Sequence, residues 1–343
     1  MSEEGIIMKR FKNILCVVNT DLKHDTAHNH DTALEHAVKL AESNQAHLTV
    51  NTEIDDVPAN SEIHKIFSED FNEKLIINYQ NKLEALARPW SMKIQLHMKV
   101  LTGITYLKII HEVLRNSHDL VIKMTENKGF INRFFGSNDM HLLRKCPTPV
   151  WLIKPGAPEK YQRILAAVDA DNYYPDEELE TRKSLNSQIL EMSSSLALSE
   201  SAELHIVHAW EAHGEDLMRS GIMAKPEKEV IAYVKAVEQR HRENLNALFD
   251  EMGEKLGKNT LKYLKPQATL LKGNPRENIS EFAGEITADL VIMGTVARTG
   301  LPGFFMGNTA ESILNQLDCS VLAIKPPGFK TPVKLNKYLF SLR

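Results

Sequence analysis

The residues best suited to chemistry lie in one glycine-punctuated stretch near the C-terminus. Val291-Ile-Met-Gly-Thr-Val-Ala-Arg-Thr-Gly-Leu-Pro-Gly-Phe-Phe-Met-Gly-Asn-Thr-Ala-Glu-Ser-Ile-Leu314 begins as an apolar strand and reaches Gly294, where the chain turns sharply and something can approach its backbone. A loop with two further glycines leads to Gly307-Asn308-Thr309, which opens a helical pattern. Amides at a helix start, with the helix dipole behind them, favour an anion such as phosphate. Asp169 closes an earlier apolar run, Ile164 to Val168, and is expected on the same sheet edge. Its carboxylate could accept from a ribose hydroxyl or an adenine amine. The same residues support a plainer reading equally well, in which Asn308 caps the helix, Glu311 completes a capping box and the glycines only serve turns. Arg298 in the loop is as well suited to a triphosphate as to an ordinary surface position.

The elements that would position these residues form a repeat. Phe11-Lys-Asn-Ile-Leu-Cys-Val-Val-Asn19 is matched by Tyr161-Gln-Arg-Ile-Leu-Ala-Ala-Val-Asp169, Asp119-Leu-Val-Ile122 by Asp289-Leu-Val-Ile292, and Val150-Trp-Leu-Ile-Lys-Pro155 by Val321-Leu-Ala-Ile-Lys-Pro326. Gly103 and Gly273 each end a strand-like run. The order never changes, so a duplication is the simplest account. In each half short apolar runs alternate with helical patterns, which predicts βαβ units and a parallel sheet covered on both faces. The expected strands are 14–18, 47–50, 120–122 and 150–153, then 164–168, 204–209, 290–293 and 321–324. The expected helices are 31–42, 70–88 and 106–116, then 181–197, 230–252 and 279–287. With 343 residues, two domains are expected, at 9–156 and 160–327, with a tail at 328–343. A net charge of −4 implies no strong pull toward nucleic acid or anionic lipid. No leader pattern or run of 18 apolar residues is found, so no membrane span is expected. Cys16, Cys146 and Cys319 form no CxxC pair, which fits a reducing cytoplasm.

The C-terminal stretch resembles the nucleotide-binding loop of universal stress proteins, written Gly-x2-Gly-x9-Gly-(Ser/Thr). Gly294 matches the first glycine and Gly307 the third, with Ala297 at the second and Asn308 at the Ser/Thr. Asp169 matches the acid that closes the first strand in ATP-binding members, and Ala209 the residue whose backbone meets adenine. His141-Leu-Leu-Arg-Lys-Cys-Pro-Thr-Pro-Val-Trp151, Gly294-Thr-Val-Ala-Arg-Thr-Gly300 and Gly307-Asn-Thr-Ala-Glu311 resemble tandem bacterial members. The resemblance covers nearly the whole chain, twice over. It implies two Rossmann-like α/β domains, each a five-stranded, mostly parallel sheet flanked by helices. Their last strands would pair into an internal pseudo-dimer, and two chains could assemble further, with the tail taking part. It implies ATP or AMP held by Asp169, Ala209, Gly294, Ala297, Gly307, Asn308 and Thr309, with Mg2+ accompanying ATP. The methyl of Ala297 departs from the pattern and could block backbone approach. In the first half Met124 stands at the first glycine, Asn127 at the second and Asn19 at the acid. Gly136-Ser137 keeps the third element, and Asp139 should repel an anion. Lys123, Lys128 and Arg133 are expected to be solvated loop charges, and this half to be structural, regulatory or specific for another ligand, with Met124 and Phe130 compatible with an apolar one.

His24, His28, His30 and His36 cluster after the first strand, near Asp25 and Asp31, but without a closed zinc motif. A polar, histidine-rich surface loop is the expectation. His205 and His208 are three apart in a strand and should face opposite sides. Nothing marks Cys146 as a reactive thiolate, and Trp151 is expected in core or interface. P-loop, nucleophile-elbow and paired metal-carboxylate motifs are absent, so no catalytic residue is assigned. The expected function is a non-catalytic, cytoplasmic stress-response protein whose second half binds an adenine nucleotide. The alternatives are a slow ATPase or nucleotidyl-transferring enzyme, and a nucleotide-free interaction scaffold.

Overall fold

The computed structural model describes residues 10–20, 32–54, 71–125, 135–296 and 306–335. Its strands are β1 (Asn13–Val18), β2 (His47–Ile54), β3 (Leu96–Thr102), β4 (Leu120–Met124), β5 (Val150–Ile153), β6 (Arg163–Ala167), β7 (Glu203–Trp210), β8 (Gln267–Lys272), β9 (Leu290–Gly294) and β10 (Ser320–Ile324). Between them lie α1 (Thr32–Asn44), α2 (Phe71–Ala87), α3 (Thr105–Asn116), α4 (Ser137–Lys145), α5 (Asp176–Glu200), α6 (Glu215–Arg219), a 3-10 turn (Gly221–Met223), α7 (Glu227–Leu256), α8 (Lys258–Leu264), α9 (Pro275–Glu285) and α10 (Asn308–Leu314). Among these helices none is long and apolar enough to cross a membrane.

All ten strands join one sheet in the order β3-β2-β1-β4-β5-β10-β9-β6-β7-β8. Neighbours within each half run parallel, and among the described strands β5 and β10 pair antiparallel, in register Val321↔Leu152, Leu322↔Trp151 and Ala323↔Val150. The last strands therefore pair internally, as the resemblance implied. Strands near the centre are apolar on both faces because helices cover both. One core runs beneath α1, α5 and α7 and includes Ile14, Trp151, Ile164 and Leu322. The other runs beneath α3, α4, α9 and α10 and includes Leu15, Leu152, Val291 and Val321. Both continue across the seam between the halves. Only the outermost strands, β3 and β8, are largely exposed.

The repeated motifs have mechanical roles. The Asp119 carboxylate accepts from the amides of Lys12 (2.6 Å) and Asn13 (3.2 Å), and Asp289 from those of Gln162 (2.7 Å) and Arg163 (2.9 Å). Each Asp thus ties the entry of one inner strand to that of its neighbour. Gly103 and Gly273 adopt φ of 115° and 125°, a region that disfavours a side chain.

At the seam, Lys325 follows β10 and is buried. Its ammonium donates to Thr295 Oγ1 (2.6 Å) and to the carbonyl of Leu143 in the last turn of α4. The helix dipole favours a cation there, and the bond joins the two halves. Arg144 and Glu311 form an ion pair across the seam. Glu311 therefore does not complete a capping box: the N-cap of α10 is Gly307, with no side-chain cap bond. After Pro327 the chain returns over the first half, where His111 Nε2 meets the carbonyl of Lys334 at 3.2 Å.

Candidate functional site

In each half the strand order reverses between the first and fourth strands, where open α/β sheets hold ligands beyond the carboxyl ends. In the second half that point lies between β6 and β9, and a cavity of about 340 Å³ opens there. Asp169, Ala209, Gly294, Gly307 and Thr309 line it, so the structure brings together five of the seven residues singled out from sequence. Asn308 is exposed and does not line it. Ala297 and Arg298 lie outside the described residues.

Two details differ from expectation. What approaches the Gly294 backbone is the side chain of Leu185 on α5: a Cβ built at Gly294 would stand 2.5 Å from Leu185 Cδ2. The glycine thus answers a packing demand, and its φ is not positive. The Gly307 amide, expected to be free for an anion, donates to the carbonyl of Thr295 at 3.0 Å, next to an antiparallel bridge between Val296 and Met306. The loop is thereby pinned at its base, and any anion is left the amides of the following turn, which lack intrahelical acceptors.

Asp169 is held from all sides. Asn186 on α5 accepts from its amide (3.0 Å) and donates to its carbonyl (2.7 Å). Its Oδ2 accepts from Arg182 and from the Tyr174 hydroxyl (3.1 Å), and Oδ1 from the Asp171 amide (3.2 Å). The Arg182 guanidinium lies 3.4 Å over the Tyr174 ring, and its other nitrogen is 3.6 Å from Glu178. Burial, then the neighbouring Asp169 charge, push the Tyr174 hydroxyl well above its usual range, so it remains a donor. Sequence reasoning missed Arg182 and Tyr174. The one available signal, an acidic residue four before Arg182 on a helix, reads as an ordinary surface pair.

The far wall of the cavity is aromatic. His208 on β7 and His241 on α7 meet through Nε2 and Nδ1 at 2.9 Å, and the Trp210 ring stacks on His241 at 5.7 Å. Burial lowers the pKa of both histidines below the usual value. Arg240 lies 4.1 Å over Tyr173 at the mouth. His205 points to the opposite face, against Phe282 on α9.

The corresponding point of the first half carries a buried ion pair. Lys123 on β4 and Asp139 on α4 pair at 2.9 Å, with 7% and 0% of each residue exposed. Lys123 is therefore not a solvated loop charge, and Asp139 is neutralised by it. Met124 takes the place of Gly294, while Asn127, Lys128, Phe130 and Arg133 lie outside the described residues. His24, His28 and His30 also lie outside them. His36 is no part of a polar surface loop: it is buried in α1, stacked on Tyr161 at 4.6 Å and bonded to the Pro158 carbonyl at 3.2 Å. Burial lowers its pKa to about 4. Among the described residues no three His, Cys, Asp or Glu side chains could hold a metal. Cys146 is buried, which raises its thiol pKa, and Cys319 is pushed up to about 12 for the same reason.

Comparison with known proteins gives a consistent picture. The model of the "Universal stress protein family" matches residues 10–154 and 160–325. The chain is 32% identical to Universal stress protein E of Escherichia coli K12 over 230 residues, covering 66% of this chain and 67% of that one. It is 29% identical to the Haemophilus influenzae homologue over 329 residues, covering 92% and 98%. A crystal structure from Pseudomonas aeruginosa UCBPP-PA14 superposes with a TM-score of 0.65 at 25% identity, covering 93% of this chain and 95% of that one. A universal stress protein from Archaeoglobus fulgidus superposes with a TM-score of 0.56 at 17% identity, covering 91% and 98%.

Proposed function

The chain belongs to the universal stress protein family, with two such domains in tandem, and on that premise we propose that its second half binds an adenine nucleotide without catalysing a reaction on it. The observation that carries this reading is the cavity at the β6/β9 switch point. It is lined by Asp169, Ala209, Gly294, Gly307 and Thr309, while the first-half equivalent holds the buried Lys123–Asp139 pair. The volume of about 340 Å³ is of the order expected for a small-molecule site. Asp169 lies where a sugar hydroxyl could donate to it, sharing its oxygens with Arg182 and Tyr174. Among the described residues no nucleophile and general base meet in the cavity, and on this reading binding acts by biasing conformation or assembly. Each chain then carries one nucleotide site.

Calorimetric titration of the purified protein with ATP, AMP and GTP, with and without Mg2+, tests the proposal, together with mass analysis of the native protein for carried nucleotide. Saturable binding of one adenine nucleotide per chain, abolished in Asp169→Ala, is expected. No heat at millimolar nucleotide and no carried ligand would leave the interaction-scaffold reading standing. Steady hydrolysis abolished by the same substitution would favour the enzyme.

A further inference from the structure

The shorter of the two contacts at His208 Nδ1 assigns the protons of the histidine pair. The backbone amide of Ala170 donates to His208 Nδ1 at 3.2 Å. The amide always carries its proton and makes the shorter contact, so Nδ1 is assigned as the acceptor in preference to donating along the 3.4 Å contact to the Val168 carbonyl. A neutral His208 therefore carries its proton on Nε2 and donates it to His241 Nδ1 at 2.9 Å. His241 Nδ1 is in turn an acceptor, and its proton sits on Nε2, on the other side of a ring that forms part of the cavity wall. Burial keeps both rings neutral, with Asp169 and Asp171 too weak an influence to reverse it. A backbone amide thus fixes, through two rings, a single directed donor. Trp210 stacks behind it and holds the plane of the ring.

We infer that His241, oriented by His208, is the specificity-determining residue of this cleft and reads a purine base through an acceptor on its ring edge. The inference rests on the nucleotide reading above and names what that site recognises. The Nε2–H of His241 lies in its ring plane and so meets a flat ligand edge to edge, with that plane fixed by the stacked Trp210 ring. A fixed donor in a buried setting discriminates against any ligand that leaves it unpaired. Purine ring nitrogens N1, N3 and N7 are such acceptors.

The test measures the affinity of the full chain for ATP and for its 1-deaza, 3-deaza and 7-deaza analogues, in the wild type, His241→Phe and His241→Gln. Phe keeps a flat ring and removes the donor; Gln keeps a donor. One analogue is expected to bind the wild type about tenfold more weakly than ATP. In His241→Phe that difference should vanish because ATP loses the same tenfold, and His241→Gln should restore part of it. Circular dichroism and the thermal transition check that each variant is folded. If every analogue keeps its wild-type deficit in His241→Phe, the role of His241 is overturned while the nucleotide reading survives. If the wild type binds no ATP, both fall together.

Discussion

The buried lysine at the seam allows a worked prediction. Lys325 is 4% exposed, and burial lowers its pKa from 10.5 to about 7. At about 1.4 kcal/mol per pH unit, this difference corresponds to about 5 kcal/mol disfavouring the ammonium in the folded state. The penalty is fully present below pH 7, where folded and unfolded chains both hold the proton. Between pH 7 and 10.5 the unfolded chain binds more protons, so stability climbs with pH; above 10.5 the penalty is gone. Replacing Lys325 by Met removes the titration and keeps the volume. The wild type is therefore expected to gain on Lys325→Met by up to about 3 kcal/mol between pH 7.5 and 9.5. The bonds to Leu143 and Thr295 favour the ammonium and make this a ceiling. Cys146, the charged neighbour in its thiolate form, stays protonated because burial raises its pKa. Urea denaturation of both proteins at half-unit pH steps gives the difference directly. Curves that stay parallel within about 0.5 kcal/mol would refute the argument from burial.

Gly294→Ala should destabilise the fold by about 1–3 kcal/mol by overpacking against Leu185, and Leu185→Ala in the same chain should relieve part of that loss; purely additive losses in chemical denaturation would count against the contact. Lys123→Ala should cost roughly 3–5 kcal/mol by stranding the buried Asp139, whereas Lys123→Met with Asp139→Leu should recover most of it; a mild single-variant loss in urea melts would show that Asp139 has sufficient support elsewhere. Arg144→Ala and Glu311→Ala, in a partly exposed pair, should each shift stability by no more than about 1 kcal/mol; a much larger drop in melting would show that the pair, and not the strands, holds the halves together.

The repeat made the fold legible. Strand positions followed from short apolar runs, and the parallel pairing within each half from the helical patterns between them. The duplicated Asp119 and Asp289 were visible as motifs, but their task of gathering two strand-entry amides needed coordinates. Helices α6 and α8 were missed because each spans barely more than a turn or two, too short for a period to show. In the site, Asp169 and the glycines were found because a recurrent spacing marks them. Arg182, Tyr174 and His241 were not, because their roles arise where α5 and α7 cross the strand ends. His208 and His241 are 33 residues apart, and no local pattern links them. Lys123 read as a loop charge, and Asp139 as a charge that repels anions, because a sequence does not reveal that α4 closes over the end of β4.

The antiparallel seam also sets an order of events during translation. The edge of β5 that receives β10 is made roughly 170 residues before its partner exists. At ribosomal speeds of about 5–20 residues per second, a nascent first half waits roughly 10–30 s with that rim open. Its Val-Trp-Leu-Ile core would invite pairing with another chain. Pro147, Pro149 and Pro155 flank the segment and confine it to four residues, the kind of gatekeeping that keeps a waiting edge from recruiting a stranger.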